Sequence, residues 1–257
     1  MADRNALLDW LENEFFGKPT GADVLTQAPD LTVDQAWKLR NELLQRRIAK
    51  GDAHIGYKIA GGGSGIKVEG AKSEPVVGPM LRSGLNAGEP YSFAGAAKVI
   101  VEAEVGVMMA RDLSGANVTR PEILAAVAGF FPAIEIVPQS GGARLSLQHR
   151  TLGSKLTGGI VLGLPMTPPT GIDLTLEGAL ISVNGEPKAV GTGMNIMGNP
   201  LNAIAEIVRT LAKYGEGLKA GQVLITGTIT GTTPVMPGDY IEATLTRLGR
   251  ATVRFTA

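Results

Sequence analysis

The sequence predicts an α+β fold, a mixed and largely antiparallel β-sheet core with covering helices and a helical N-terminal region. Three observations carry this. After Gly51, short β-branched runs separated by glycine outnumber helical segments. Two of the turns between runs, at Asn184 and Gly185 and around Gly249, are of the kind that joins antiparallel neighbours directly. Strands and helices do not alternate regularly, as a doubly wound parallel sheet requires.

Residues 1–52 read as a helical region and residues 53–257 as one sheet-based domain. In "DLTVDQAWKLRNELLQRRIAKG", Thr32 and Gln35 have capping-box spacing, Leu31 and Ala36 can staple the first turn, and Gly51 stops the helix. Ala36, Leu39, Leu43 and Ile48 then form one apolar stripe. The runs "IGYKIA", "KVIVEAEVGVMMA", "AIEIV", "GGIVLG", "GALISVNGE", "QVLITGT" and "DYIEATLTRLGRATVRF" read as strands. Two further helices are marked. One follows Thr119 and Glu122, a second capping box; the other has Asn199 as cap, Pro200 at its first position and Gly215 as terminator.

The composition excludes several classes. With 257 residues, 44% of them hydrophobic, the chain can bury a large core. Its 24 basic and 24 acidic residues cancel, so no bulk field draws it to nucleic acid or an anionic membrane. It has no cysteine, hence no disulfide or thiolate chemistry, which suits a cytoplasmic protein. The charged start "MADRNALLDWLENEFF" is unlike a secretory signal, and the longest apolar run, "ILAAVAGFFPAIEIV", is broken by Pro132 and Glu135. The glycine-rich "AGGGSGIKVEG" lacks the glycine before lysine of a phosphate loop and reads as a mobile lid. His54 and His149 stand far apart and read as packing residues; Ser64, Ser73 and Ser154 lack a nucleophile-elbow context.

The acidic residues are more informative. In "VIVEAEVGVMMARDL", strand alternation puts Glu102 and Glu104 on one face and Val101, Val105 and Val107 on the other. Glu135 interrupts the apolar run "FPAIEIV" in the same way. Two readings stand side by side: the carboxylates face solvent from one-sided strands, or they converge on a cation. All-oxygen ligation would point to a hard ion such as Mg2+ or Mn2+.

In order, "GYKIA", "VEAEVGVMMARDL", "FPAIEIV", "GGIVLG" and the stretch from "GNPLNAIAEIVRTL" to "RATVRF" resemble the 2-oxopent-4-enoate hydratase and 4-oxalocrotonate decarboxylase family, within the fumarylacetoacetate-hydrolase superfamily. The resemblance covers nearly the whole chain and implies a fumarylacetoacetase C-terminal-like domain. It implies that Glu102, Glu104 and Glu135 bind a divalent metal, Mg2+ or Mn2+, that Lys58 is catalytic or contacts substrate, and that the turn around Gly227 and Thr228 lies by the substrate. The family carries an Asp-Asn-Ala-Ser stretch before its "GFVLG" strand, where this chain has "LGSKLTGGIVLG"; an acidic pair is likewise replaced near "VGPMLRSG". Arg82 or Lys155 could act there as an anion clamp for a second substrate carboxylate.

The implied reaction is hydration of a 2-hydroxy-2,4-dienoate from aromatic catabolism to a 4-hydroxy-2-oxo acid, by a homo-oligomer that could associate with another enzyme of the pathway. The alternatives are decarboxylation of a 2-oxo-3-enedioate, and a catalytically weak metal-binding scaffold subunit. Hydrolysis of an acylpyruvate fits less well, because its water-activating base is usually a His-Glu pair and only His54 lies in the right region.

Overall fold

A computed structural model describes residues 4–61, 75–93, 96, 98–139, 145–153 and 158–257. The elements run α1 (Arg4–Phe16), α2 (Val33–Ala49), β1 (His54–Ala60), β2 (Val76–Leu81), β3 (Leu85–Asn86), β4 (Tyr91–Ser92), β5 (Lys98–Met109), α3 (Arg120–Ala126) and β6 (Val127–Gln139). They continue with α4 (Leu147–Gly153), β7 (Gly159–Leu162), β8 (Gly178–Val183), β9 (Glu186–Thr192), α5 (Pro200–Ala212), β10 (Val223–Thr228), β11 (Thr233–Val235), β12 (Tyr240–Leu245) and β13 (Gly249–Thr256). The expected lid segment lies almost entirely outside the described residues, as do Ser154 and Lys155.

One sheet has the order β2-β1-β10-β5-β6-β7-β3, with β11 pairing the first part of β5; the second has the order β4-β13-β12-β8-β9. Among the described residues only the β1–β10, β3–β7 and β4–β13 pairs are parallel. Both turn signals hold. The β8–β9 hairpin turns through Asn184 at φ 53 and Gly185 at φ 85, and β12 returns into β13 at Gly249, φ 101.

The sheets share a core in which Val101, Val105, Val107, Ile134 and Ile136 meet Ile181, Val183, Ile241, Leu245 and Val253. Helix α5 buries Ile204, Ile207, Val208 and Leu211 against the same core. Thr32 and Thr119 both complete their capping boxes, and Asn199 accepts from the Leu201 amide. The long apolar run splits at Val127, earlier than Pro132: its first part is α3 and its second is β6. Five elements were not marked in the sequence: β2, the short strands β3, β4 and β11, and the seven-residue α4. Among the described residues no helix is long and apolar enough to cross a membrane.

Leu7, Leu8 and Leu11 of α1 pack with Leu39 and Leu43 of α2, Leu152 of α4 and Leu81 of β2. The expected stripe on α2 needs one correction, since Ile48 is exposed. The last turn meets α1 through ion pairs, Arg46 with Asp9 and Lys50 with Glu12, so its apolar residue is left outside. Deeper in α2, fully buried Arg40 donates to the Val77 carbonyl at 2.7 Å and lies 3.5 Å from the centre of the Trp37 ring; burial lowers its pKa to about 10. Glu216 accepts from the Trp37 indole, the Asn41 amide and the Tyr57 hydroxyl. These bonds tie α2 to β1 and β2.

Candidate active site

The carboxylates do not face solvent. Alternation along β5 and β6 sends their valines and isoleucines to the inter-sheet core and sends Glu102, Glu104 and Glu135 to the other, inner face. Glu104 and Glu135 are buried and Glu102 is partly so. Glu102 is directly opposite Glu135, and Glu104 is opposite Ala133. One oxygen from each of the three carboxylates lies within 4.8 Å of the others.

Lys58 joins them from β1. Two strands, β10 and β5, stand between β1 and β6, so in a flat sheet these strands would be about 14 Å apart. The ammonium is nevertheless 3.0 and 2.9 Å from the two Glu135 oxygens. The sheet is therefore strongly curled, and its inner face wraps the acidic set. The same face carries an apolar plug of Met80, Phe131, Ala133, Val223 and Ile225. Gly56 permits part of this curl: a Cβ there would meet the Val223 carbonyl oxygen at 1.7 Å, so β1 can lie this close to β10 only with glycine.

Among the described residues, three carboxylates and one ammonium leave two formal negative charges in a water-poor interior. A divalent ion would cancel them, and three carboxylate oxygens are the donors that a hard ion takes. The residues therefore fit Mg2+ or Mn2+.

The end of β10 supports one of the carboxylates through its backbone. The Gly227 amide donates to Glu104 Oε2 at 2.7 Å, and Gly227 adopts φ +98, which favours glycine. Thr226 Oγ1 donates to the Val105 carbonyl, while Thr228, opposite Glu104 in register, donates to the Gly231 carbonyl. A Cβ on Gly227 would find no atom closer than the Ile59 carbonyl oxygen at 3.8 Å, so Gly227→Ala would strain the backbone without a clash. We expect that variant to fold and to bind Mn2+ about tenfold more weakly, the range for loss of an orienting contact to a ligand. Unchanged affinity in a metal titration would show that the amide does not orient Glu104.

Arg82 is exposed in the turn after β2. His54 and His149 are packing residues. The first hydrogen-bonds the Gly56 carbonyl and the second accepts from the Val24 amide, and burial lowers the pKa of both. A small cavity adjoins Lys58 and Glu135, lined also by Leu81, Gly84, Gly158, Gly159 and Ile160. None of these five stood out in the sequence. Ile160 becomes visible only through register, because it pairs directly with Glu135.

Residues 75–256 match the family model described as fumarylacetoacetate (FAA) hydrolase C-terminal. The chain belongs to this family. It is 32% identical over 248 residues to a 2-keto-4-pentenoate hydratase of Paraburkholderia xenovorans (strain LB400), covering 93% of this chain and 89% of that one. It is 28% identical over 241 residues to a 2-hydroxyhexa-2,4-dienoate hydratase of Comamonas testosteroni, covering 92% and 91%. Among solved structures, 4-oxalocrotonate decarboxylase from Pseudomonas putida G7, complexed with magnesium and adipate, superposes with a TM-score of 0.87 at 24% identity over 99% of each chain. The fold assigned from the sequence is thus the fold of this family, and the hydratases and decarboxylases named by the resemblance are its relatives.

Proposed function

We propose that this chain is a Mg2+- or Mn2+-dependent hydratase that converts a 2-hydroxy-2,4-dienoate to a 4-hydroxy-2-oxo acid. The observation that carries this reading is the convergence of Glu102, Glu104, Glu135 and Lys58 on the inner face of the curled sheet. Identity to two hydratases over nine-tenths of the chain supports the reaction class. Residues 53–257 form the catalytic part and the helical residues 1–52 brace it.

The reaction adds one water. The enol proton leaves and a proton arrives at C5, giving a 2-oxo-3-enoate; water then adds with its hydroxyl at C4 and its proton at C3. When bound, the ion supplies charge stabilisation at the 2-oxo acid end of the substrate. Glu102, Glu104 and Glu135 hold it, and the Gly227 amide holds Glu104. Lys58 is the group that moves a proton or anchors the substrate carboxylate, and the surrounding apolar plug keeps bulk water from its ammonium.

Turnover of 2-hydroxypenta-2,4-dienoate, followed by loss of ultraviolet absorbance and by carbon dioxide release, tests this. The expected result is metal-dependent loss of absorbance and formation of 4-hydroxy-2-oxopentanoate. Carbon dioxide released from 4-oxalocrotonate, with the dienoate untouched, would make the chain a decarboxylase instead. Turnover of neither would leave the scaffold alternative.

A further inference from the structure

Lys58 reaches Glu135 because the sheet is curled, and the curl at β1 is held from outside the sheet. Strand β1 bonds to β10 on one side and to β2 on the other, and among the described residues β2 is the last strand there. Tyr57 and Ile59 lie on the face of β1 opposite Lys58, in the core that also takes Val77 and Trp37. Both neighbours of Lys58 are gripped on that face. The Tyr57 hydroxyl donates to Glu216 at 3.3 Å. Ile59 pairs with Val77 of β2, whose carbonyl accepts from Arg40 of α2 at 2.7 Å. The two grips are joined, because Arg40 donates to the Asn41 side-chain oxygen at 3.0 Å and the Asn41 amide donates to Glu216 at 2.7 Å. Trp37 donates to the same carboxylate and lies between the Arg40 guanidinium and the Tyr214 ring, stacked on that ring at 4.2 Å and 9°. A chain of polar contacts thus runs from one flank of Lys58 through α2 to the other.

Resting on the function proposed above, we infer that Arg40, Asn41 and Glu216 are positioning residues for Lys58: they hold β1 in the curl and fix the depth at which its ammonium enters the site. Arg40 is fully buried, and among the described residues it meets a carboxylate only through Asn41. Burying a charge in this way costs stability that an apolar side chain of similar length would not. What the charged groups add is direction, since their hydrogen bonds fix angles and distances where apolar packing fixes volume. The placement of a reacting group is sensitive to such support, because a shift of about 1 Å costs about a hundredfold in rate.

Double-mutant cycles on the full chain, pairing Arg40→Met with Lys58→Met, test this. With Mg2+ and 2-hydroxypenta-2,4-dienoate, Arg40→Met alone is expected to lower kcat/KM by about ten- to a hundredfold, through whichever of kcat and KM Lys58→Met changes. Once Lys58 is replaced, Arg40→Met should lower it no further. In urea unfolding of the metal-free protein, the two substitutions together should cost less than the sum of their separate costs, because each loosens the same Lys58–Glu135 contact. Tyr57→Phe keeps the ring, loses the bond to Glu216 and carries both cycles with smaller effects if Arg40→Met does not fold. Full activity in both Arg40→Met and Tyr57→Phe, an equal loss of kcat/KM with and without Lys58, or additive unfolding costs would overturn the inference and leave the function intact. A parent protein that turns over no dienoate would overturn the function; the unfolding cycle then judges the inference alone, and costs below the sum uphold it.

Discussion

Replacing Glu135 by Gln is expected to lower turnover by about three orders of magnitude or more and to weaken Mg2+ binding by more than about a hundredfold. Loss of a partner that merely orients a ligand costs about 10- to 100-fold, so loss of a charged ligand costs more. The side chain has two tasks here, since it also pairs with Lys58 in a site where both are almost fully buried. Glutamine takes the charge from one side of this buried contact, which costs stability. Glu135→Gln is therefore expected to be less stable as well as inactive. Glu102→Gln separates the two effects, because it removes a ligand and leaves the Lys58–Glu135 pair whole. It should keep most of the stability and lose the ion. Metal titration and thermal unfolding of both variants, side by side, check this; an active Glu102→Gln protein that binds Mg2+ normally would remove the triad from the mechanism.

Lys58→Met is expected to lower turnover by about two to four orders of magnitude, the range for a positioned acid or base. If Lys58 instead anchors the substrate carboxylate, the loss appears in KM and kcat holds. The metal-free variant should unfold more readily than the parent, because the buried carboxylates lose the ammonium that pairs with Glu135. Added Mg2+ should restore much of that stability, since the ion supplies the missing positive charge. Steady-state kinetics and melting curves with and without Mg2+ read both effects. Unchanged kcat and KM would exclude either role.

Much of this site was legible in the chain because period-two alternation is local. It places Glu102 and Glu104 on one face and Val101, Val105 and Val107 on the other without knowledge of any partner strand. The capping boxes at Thr32 and Thr119 and the hairpin at Asn184 and Gly185 are local in the same sense. What alternation cannot say is which face points inward. Three carboxylates on a strand face read equally well as solvent-facing, and only the curl of the sheet, which brings β1 to β6, decides that they are enclosed. Register is non-local too. The row from Glu102 through Glu135 to Ile160 joins three strands, and nothing in "GGIVLG" alone marks its isoleucine as a neighbour of a ligand. The backbone role of Gly227 was hidden for a related reason: an amide has no side-chain signature, and its target lies 123 residues away. Helix α4 is only seven residues long, so its sequence carried little helical signal. Ile48 shows the converse error, where a correct helical period ran one turn past the surface it packs on.

The most direct measurement is a titration of chelated protein with Mn2+ in which bound ion and dienoate turnover are followed together. No turnover is predicted without metal, with activity rising in proportion to occupancy and saturating at one ion per chain, and with both signals absent in Glu102→Gln. Full turnover by the chelated protein, or an ion that still binds and activates Glu102→Gln, would contradict a metal site built from Glu102, Glu104 and Glu135.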